Sequence, residues 1–209
     1  MKNTLVLNVK DLKIKFESIA RQITDNRRKL LIAIMAIVGI WIGVLFYNKN
    51  TTADSFADKA INYIVSCSFI KAFIILGAIN LAVVLIVFLS GFSAFGLTNA
   101  ILIPCVYGLI YGLICSHIYK TFSLNGVFFT VVTIVPFAVI STILLIISCN
   151  DTIDISGSII KSIFFAQTGD RGDVKNYTLR HIVIILILSA CSLLQAISIT
   201  YIGEKILSI

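Results

Sequence analysis

Between Lys71 and Lys120 the chain runs for 48 residues, Ala72 to Tyr119, without a lysine, arginine, aspartate or glutamate. As α-helix this stretch would extend roughly 72 Å at ~1.5 Å per residue, whereas the hydrocarbon core of a bilayer is about 30 Å thick. It therefore makes two membrane spans and not one. A water-soluble domain must clothe its surface in polar groups, and here mean hydropathy is +1.02 with only 13% of residues charged. Lipid offers the backbone no hydrogen-bond partners, so spanning segments are helices or closed barrels. Barrel strands alternate polar and apolar residues, and these runs are apolar on every side. The expected fold is an all-α membrane protein, a polytopic bundle of about five transmembrane helices with interfacial amphipathic helices.

The remaining spans follow from the same contrast. Residues 1–29 are polar and basic, and Val9, Leu12, Phe16, Ile19 and Ile23 recur at alternating steps of three and four. That spacing predicts a helix with one apolar stripe resting on the inner membrane surface. Residues 30–209 form a single transmembrane domain with spans at about 30–47, 72–90, 101–119, 127–148 and 182–203. The first, behind Arg27-Arg28-Lys29, is expected to be an uncleaved anchor. Residues 48–71 are polar, and Phe56, Ala60, Tyr63 and Ile64 share one face of a short amphipathic helix. Gly91–Asn99 carries turn signals in two glycines and an asparagine, and Ser123-Leu-Asn125-Gly126 marks a tight turn. In 149–181, Ile159, Ile160, Ile163 and Phe164 suggest another interfacial helix, capped by Asp154 or Ser156.

Net charge is +7, which in a soluble protein would raise the question of nucleic acid. Here basic residues gather on span flanks, and no nucleic-acid motif accompanies them. With the N-terminus inside, inner segments hold twelve basic residues and outer segments five. The imbalance predicts a cytoplasmic N-terminus and, for five spans, an extracytoplasmic C-terminus. Five cysteines, Cys67, Cys105, Cys115, Cys149 and Cys191, are widely spaced with no C-x-x-C. Neither a disulfide framework nor a zinc site follows.

Chemistry inside a membrane generally announces itself by an ionisable residue at mid-span, and this chain has none there. His117 falls near a span end beside Lys120, where an interfacial, hydrogen-bonded histidine is the plainer reading. Ser116 adjoins it, but helix neighbours point roughly 100° apart, so the two are not a dyad. No zinc pair, aspartate pair or nucleotide loop is present, and no catalytic, metal-binding or cofactor-binding residue is assigned. Asn80 and Gln195 are the main polar side chains within spans. With His117 they are the candidates for a polar pocket, although buried amides most often join helices. Gly39-x-x-x-Gly43 in the first span and Gly108-x-x-x-Gly112-x-x-x-Ser116 in the third place small residues on one face, where helix backbones approach closely. They are read as packing sites within the chain, or as contacts with another subunit or a second copy. Pro104 and Pro136 each remove a backbone donor and kink or open their helices.

The order of these parts resembles a known family. The anchor carries Gly-Ile-Trp-Ile-Gly. A later span runs into Ser90-Gly91-Phe-Ser-Ala-Phe-Gly96, followed by Ile103-Pro104, Tyr107-Gly108-Leu-Ile-Tyr-Gly112 and Thr133-Ile-Val-Pro136. Over nearly its whole length the chain is similar to the stage II sporulation protein M family. Many members follow the later proline with His-Gly and a glutamate. Here Phe137, Ala138 and Val139 follow Pro136, so no role of those groups carries over. The resemblance implies a non-catalytic scaffold in the cell membrane of a spore-forming bacterium, anchoring peptidoglycan-degrading partners during forespore engulfment. Gly91, Gly96 and the small residues above are then candidates for packing or for a partner interface. The competing expectation is a small-solute transporter or a substrate-binding transporter subunit, which requires a solvent-reachable pocket at Asn80, His117 and Gln195 or at the prolines.

Overall fold

The computed structural model describes residues 2–49, 68–165 and 172–207. They form helices α1 (Lys2–Lys49), α2 (Phe69–Gly91), α3 (Gly96–Phe129), a π-helical turn (Thr130–Ile134), α4 (Val135–Phe165) and α5 (Gly172–Leu207). Thr24–Tyr47, Phe69–Gly91, Gly96–Ile160 and Val174–Tyr201 are long and apolar enough to cross a bilayer. The third stretch has 65 residues and folds back on itself. Ser123 takes φ 50° and ψ −126°, and a Cβ placed on Gly126 would meet the Ile118 carbonyl group. Eight residues apart on a straight helix would be roughly 12 Å, so the chain reverses at Ser123, inside the turn the sequence predicts. The third of the four apolar stretches is thus two helices, and the molecule is the helical bundle expected.

Its exterior is aliphatic: Leu30, Ile37, Leu45, Leu89 and Leu186 all stand exposed. Among the described residues, three apolar patches of three or more buried side chains bridge the helices. Ile32, Val87, Ala100, Tyr107, Leu145 and Cys149 form one. Ile118, Phe129, Ile134 and Ile199 form the second, and Val84, Ile184 and Leu188 the third.

Several boundaries differ from those the sequence predicts. The helix foreseen in residues 1–29 is continuous with the first span, without a break at Lys29. No proline or glycine interrupts residues 2–38, so nothing ends the helix there. The fourth span likewise does not stop at Ser148 but runs on to Phe165. Asp154 and Ser156 therefore lie within a helix instead of capping one. Polarity misled here because Asn150, Asp151, Thr152 and Asp154 find partners on neighbouring helices and Ser156 on the turn between α2 and α3, so they need no loop to reach water. α5 begins ten residues before the expected Ile182. The amphipathic face proposed for Phe56–Ile64 lies outside the described residues.

The two prolines behave differently. Pro104 is buried inside α3, whose one departure from helical backbone is Ser123, so it does not break its helix. Pro136 lies two residues beyond the last residue of the π-helical turn. Widening the helix by one residue absorbs the clash and missing N–H that proline imposes. The turn also places Phe129 and Ile134 in the second interior patch.

Candidate functional site

The closest helix contact is the crossing of α1 and α3. A Cβ on Gly39 would fall on the Cys105 carbonyl oxygen, and one on Gly43 on that of Leu109. Reciprocally, Gly108 abuts the Ala36 carbonyl, Gly112 that of Ile40, and a Cβ on Gly112 would lie 3.2 Å from Gly43 Cα. Both Gly-x-x-x-Gly faces are thus spent on each other within one chain. Ser116, half-buried, continues the α3 row. Gly91 and Gly96 serve other contacts. The Tyr177 hydroxyl occupies the space a side chain on Gly91 would need, while Ser90 O and Ser156 Cβ crowd Gly96.

At mid-bundle a chain of hydrogen bonds ties three helices together. Ser192 Oγ donates to Leu188 O at 2.9 Å and accepts from Asn80 Nδ2 at 3.0 Å. Asn80 Oδ1 in turn accepts from the Tyr107 hydroxyl at 3.1 Å. Tyr107 has then given its proton, so its 3.2 Å contact with Tyr111 is a bond that Tyr111 donates. Asn80 and Gln195 border one cavity of about 120 Å³, together with Tyr107, Tyr111 and aliphatic side chains including Leu76, Val83 and Ile199. His117, the third residue foreseen for a polar pocket, does not line it. It sits on α3 toward the Ser123 end, with Nδ1 3.3 Å from the Tyr47 hydroxyl and Nε2 3.4 Å from Thr121 Oγ1. Lys120 Nζ lies 5.2 Å from the centre of the Tyr47 ring. Tyr107, Tyr111 and Ser192 were not distinguished by sequence, because tyrosine and serine are unremarkable within a span until a partner is seen.

The opposite end of the bundle carries the densest polar network. Tyr177 is at its centre. Its hydroxyl donates to Phe88 O at 2.9 Å and lies 3.2 Å from Thr152 Oγ1. Its ring stacks on Phe88 with centroids 5.2 Å apart and meets His181 at 4.2 Å. His181 Nδ1 is 3.0 Å from the Tyr177 carbonyl, which can only accept, so Nδ1 carries the proton. Nε2 then accepts from Ser148 Oγ at 2.8 Å. Ser156 donates to Ser93 O at 2.8 Å, tying α4 to the turn between α2 and α3. Three further links join helices: Asn150 Nδ2 to Asp25 at 2.7 Å, Arg28 to Asp154 at 2.6 Å, and Arg180 to Asp151 at 3.2 Å. The Arg28–Asp154 pair is about half exposed on both sides, where such pairs contribute little.

Chemically these arrangements hold helices together. Among the described residues no three His, Cys, Asp or Glu side chains gather as metal ligands. Comparison with protein-family models, with curated proteins and with solved structures gave no match to this chain.

Proposed function

We propose that the chain is a non-catalytic scaffold of a bacterial cell membrane. Its resemblance to the stage II sporulation protein M family suggests that it anchors peptidoglycan-remodelling partners in an engulfment-type process. The observation that carries this reading is the use to which the polar side chains in the spans are put. Asn80, Ser192, Tyr107 and Tyr111 bond one another across α2, α3 and α5, and His117 bonds Tyr47 of α1. Such groups fix a rigid frame, which is what a platform for other proteins requires. Because the glycine faces of α1 and α3 are occupied by each other, partners are to be sought at the lipid-facing sides, the basic N-terminal stretch and the segment 48–71. The N-terminus is placed in the cytoplasm and the C-terminus outside, on the distribution of basic residues.

A second reading, a small-solute transporter or substrate-binding transporter subunit, draws on the cavity beside Asn80 and Gln195. Its mostly aliphatic walls suit an apolar ligand better than a hydrated solute. Cross-linking in native membranes followed by affinity purification separates the two. Recovery of cell-wall hydrolases or their anchors is the expected outcome, and recovery of an ATPase with a coupling protein would establish the second reading instead.

A further inference from the structure

The cavity between α2, α3 and α5 holds the one group near it whose hydrogen bonding is unaccounted for. Gln195 is only 5% exposed, lines the cavity, and makes no side-chain hydrogen bond with any described residue. A buried amide left without a partner is destabilising, and Gln195 forms part of the wall of this cavity. The neighbouring hydrogen-bond chain contributes a second group. Tyr111 donates its only proton to Tyr107, so its oxygen retains acceptor capacity. An amide that can donate and accept, beside a phenol oxygen that can accept, suits a hydroxyl group.

We propose that this cavity binds a neutral amphiphile, an aliphatic chain ending in a hydroxyl, which enters sideways from the bilayer. The space supports it: about 120 Å³ compares with the ~150 Å³ cavity that takes up benzene, and a single water needs only about 10–15 Å³. The walls support it as well. Apart from Gln195, the two tyrosine hydroxyls and Asn80, whose amide is already bonded to Ser192 and Tyr107, they are aliphatic or aromatic, and no charged side chain borders them, so a charged headgroup buried here would go unpaired. Mostly apolar cavities also stay dry. The entrance lies between α2 and α3, where Ile79 and Ile110 belong to the wall and yet are 47% and 38% exposed. The chain of the ligand then leaves through that gap into lipid. This site does not depend on the scaffold reading and stands or falls separately.

The test uses the full-length protein in vesicles of phosphatidylcholine and phosphatidylglycerol. The probe is hexadecanol bearing a diazirine close to the hydroxyl and a terminal alkyne. After illumination, labelled peptides are mapped by mass spectrometry. Saturable labelling at Ile114, Tyr111 or Ile199 is expected, displaced by unmodified hexadecanol and not by hexadecane. Gln195→Leu, which keeps the shape and removes the amide, should lower occupancy about tenfold, the loss of one hydrogen bond. Ile114→Phe, which fills the space and touches no polar group, should abolish it. If either variant fails to elute as wild type on size exclusion, the other decides. Non-saturating labelling spread over lipid-facing residues such as Leu186 and Ile187 would overturn the proposal. So would labelling unchanged by both substitutions, or displaced equally by hexadecane.

Discussion

Replacing Gly108 by alanine puts the crossing of α1 and α3 under direct strain. The added Cβ would fall on the Ala36 carbonyl oxygen and stand 3.1 Å from both the Ala36 carbonyl carbon and the Ile40 nitrogen. These are backbone atoms, with no flexible side-chain end to swing aside, so the helices must move apart. Overpacking of a tight interior costs about 1–3 kcal/mol, and a rigid obstacle places this case in the upper half. Alanine recovers up to ~1 kcal/mol of helix propensity, leaving a net loss of about 1–2 kcal/mol. Gly77 supplies the control, since a Cβ there meets nothing within 4 Å and only the propensity gain remains. At about 2–4 °C per kcal/mol for a chain of this size, Gly108→Ala should lower the midpoint of thermal unfolding in micelles by about 2–8 °C. Gly77→Ala should leave it unchanged or raise it. The same chemical change thus acts with opposite sign at two positions. A cycle on Gly43 and Gly112 adds a second check. Once one alanine has parted the helices the other has room, so the double variant should lose far less than the two singles together. A Gly108→Ala protein as stable as wild type, or additive effects at Gly43 and Gly112, would refute the close contact.

Asn80→Leu removes two interhelical bonds at ~0.6 kcal/mol each, and seldom above ~1.7, and should cost about 1–2 kcal/mol in the same unfolding assay. Ser192→Ala removes one of them, and a loss equal to that of Asn80→Leu would mean that the Tyr107 bond contributes nothing. Tyr177→Phe should cost about 1 kcal/mol through its bond to Phe88 O. Asp154→Asn, at an exposed pair, should cost less than about 1 kcal/mol, and the reverse ranking would move the weight of that end onto its ion pairs. For orientation, single cysteines are introduced into a cysteine-free background at Leu124, which is 83% exposed, and at Asp154. A membrane-impermeant maleimide applied to intact cells should modify the first and should reach the second only after permeabilisation; the opposite pattern inverts the assigned topology.

The membrane character was legible because charge is excluded from long runs, a one-dimensional signal that survives without knowing what packs against what. The Ser123 turn was legible for a related reason, since Ser-Leu-Asn-Gly interrupts an otherwise unbroken apolar pattern. Helix ends were not. Polarity in Asn150, Thr152 and Ser156 looks the same in sequence whether the side chain faces water or the rest of the bundle, and here the first two face a neighbouring helix and Ser156 the turn between α2 and α3. The candidate pocket was legible in part. Asn80 and Gln195 stand out as amides in apolar runs, and the fold brings both to one cavity. His117 has the same local signature but points toward α1, a choice set by the rotation of α3 and by where Tyr47 happens to lie.

That rotation also explains why a cavity exists at all. At roughly 100° per residue, Cys105, Gly108, Leu109 and Gly112 fall on one side of α3, and Tyr107, Tyr111, Ile114 and Ile118 on roughly the opposite side. Lipid gives helices no hydrophobic reason to associate, so their separation is set by the size and bonding of what lies between them. On the glycine side nothing lies between, and α1 comes to backbone contact. On the tyrosine side two rings stand between α3 and its neighbours α2 and α5. Their hydroxyls are held by each other and by Asn80, so the rings cannot swing into the gap beneath them. The π-helical turn ahead of Pro136 sets Phe129 and Ile134 as the far wall. A helix with one bare face and one propped face thus presses its partners together on one side and holds them apart on the other. The space beside Gln195 follows from that asymmetry and is not a lapse in packing.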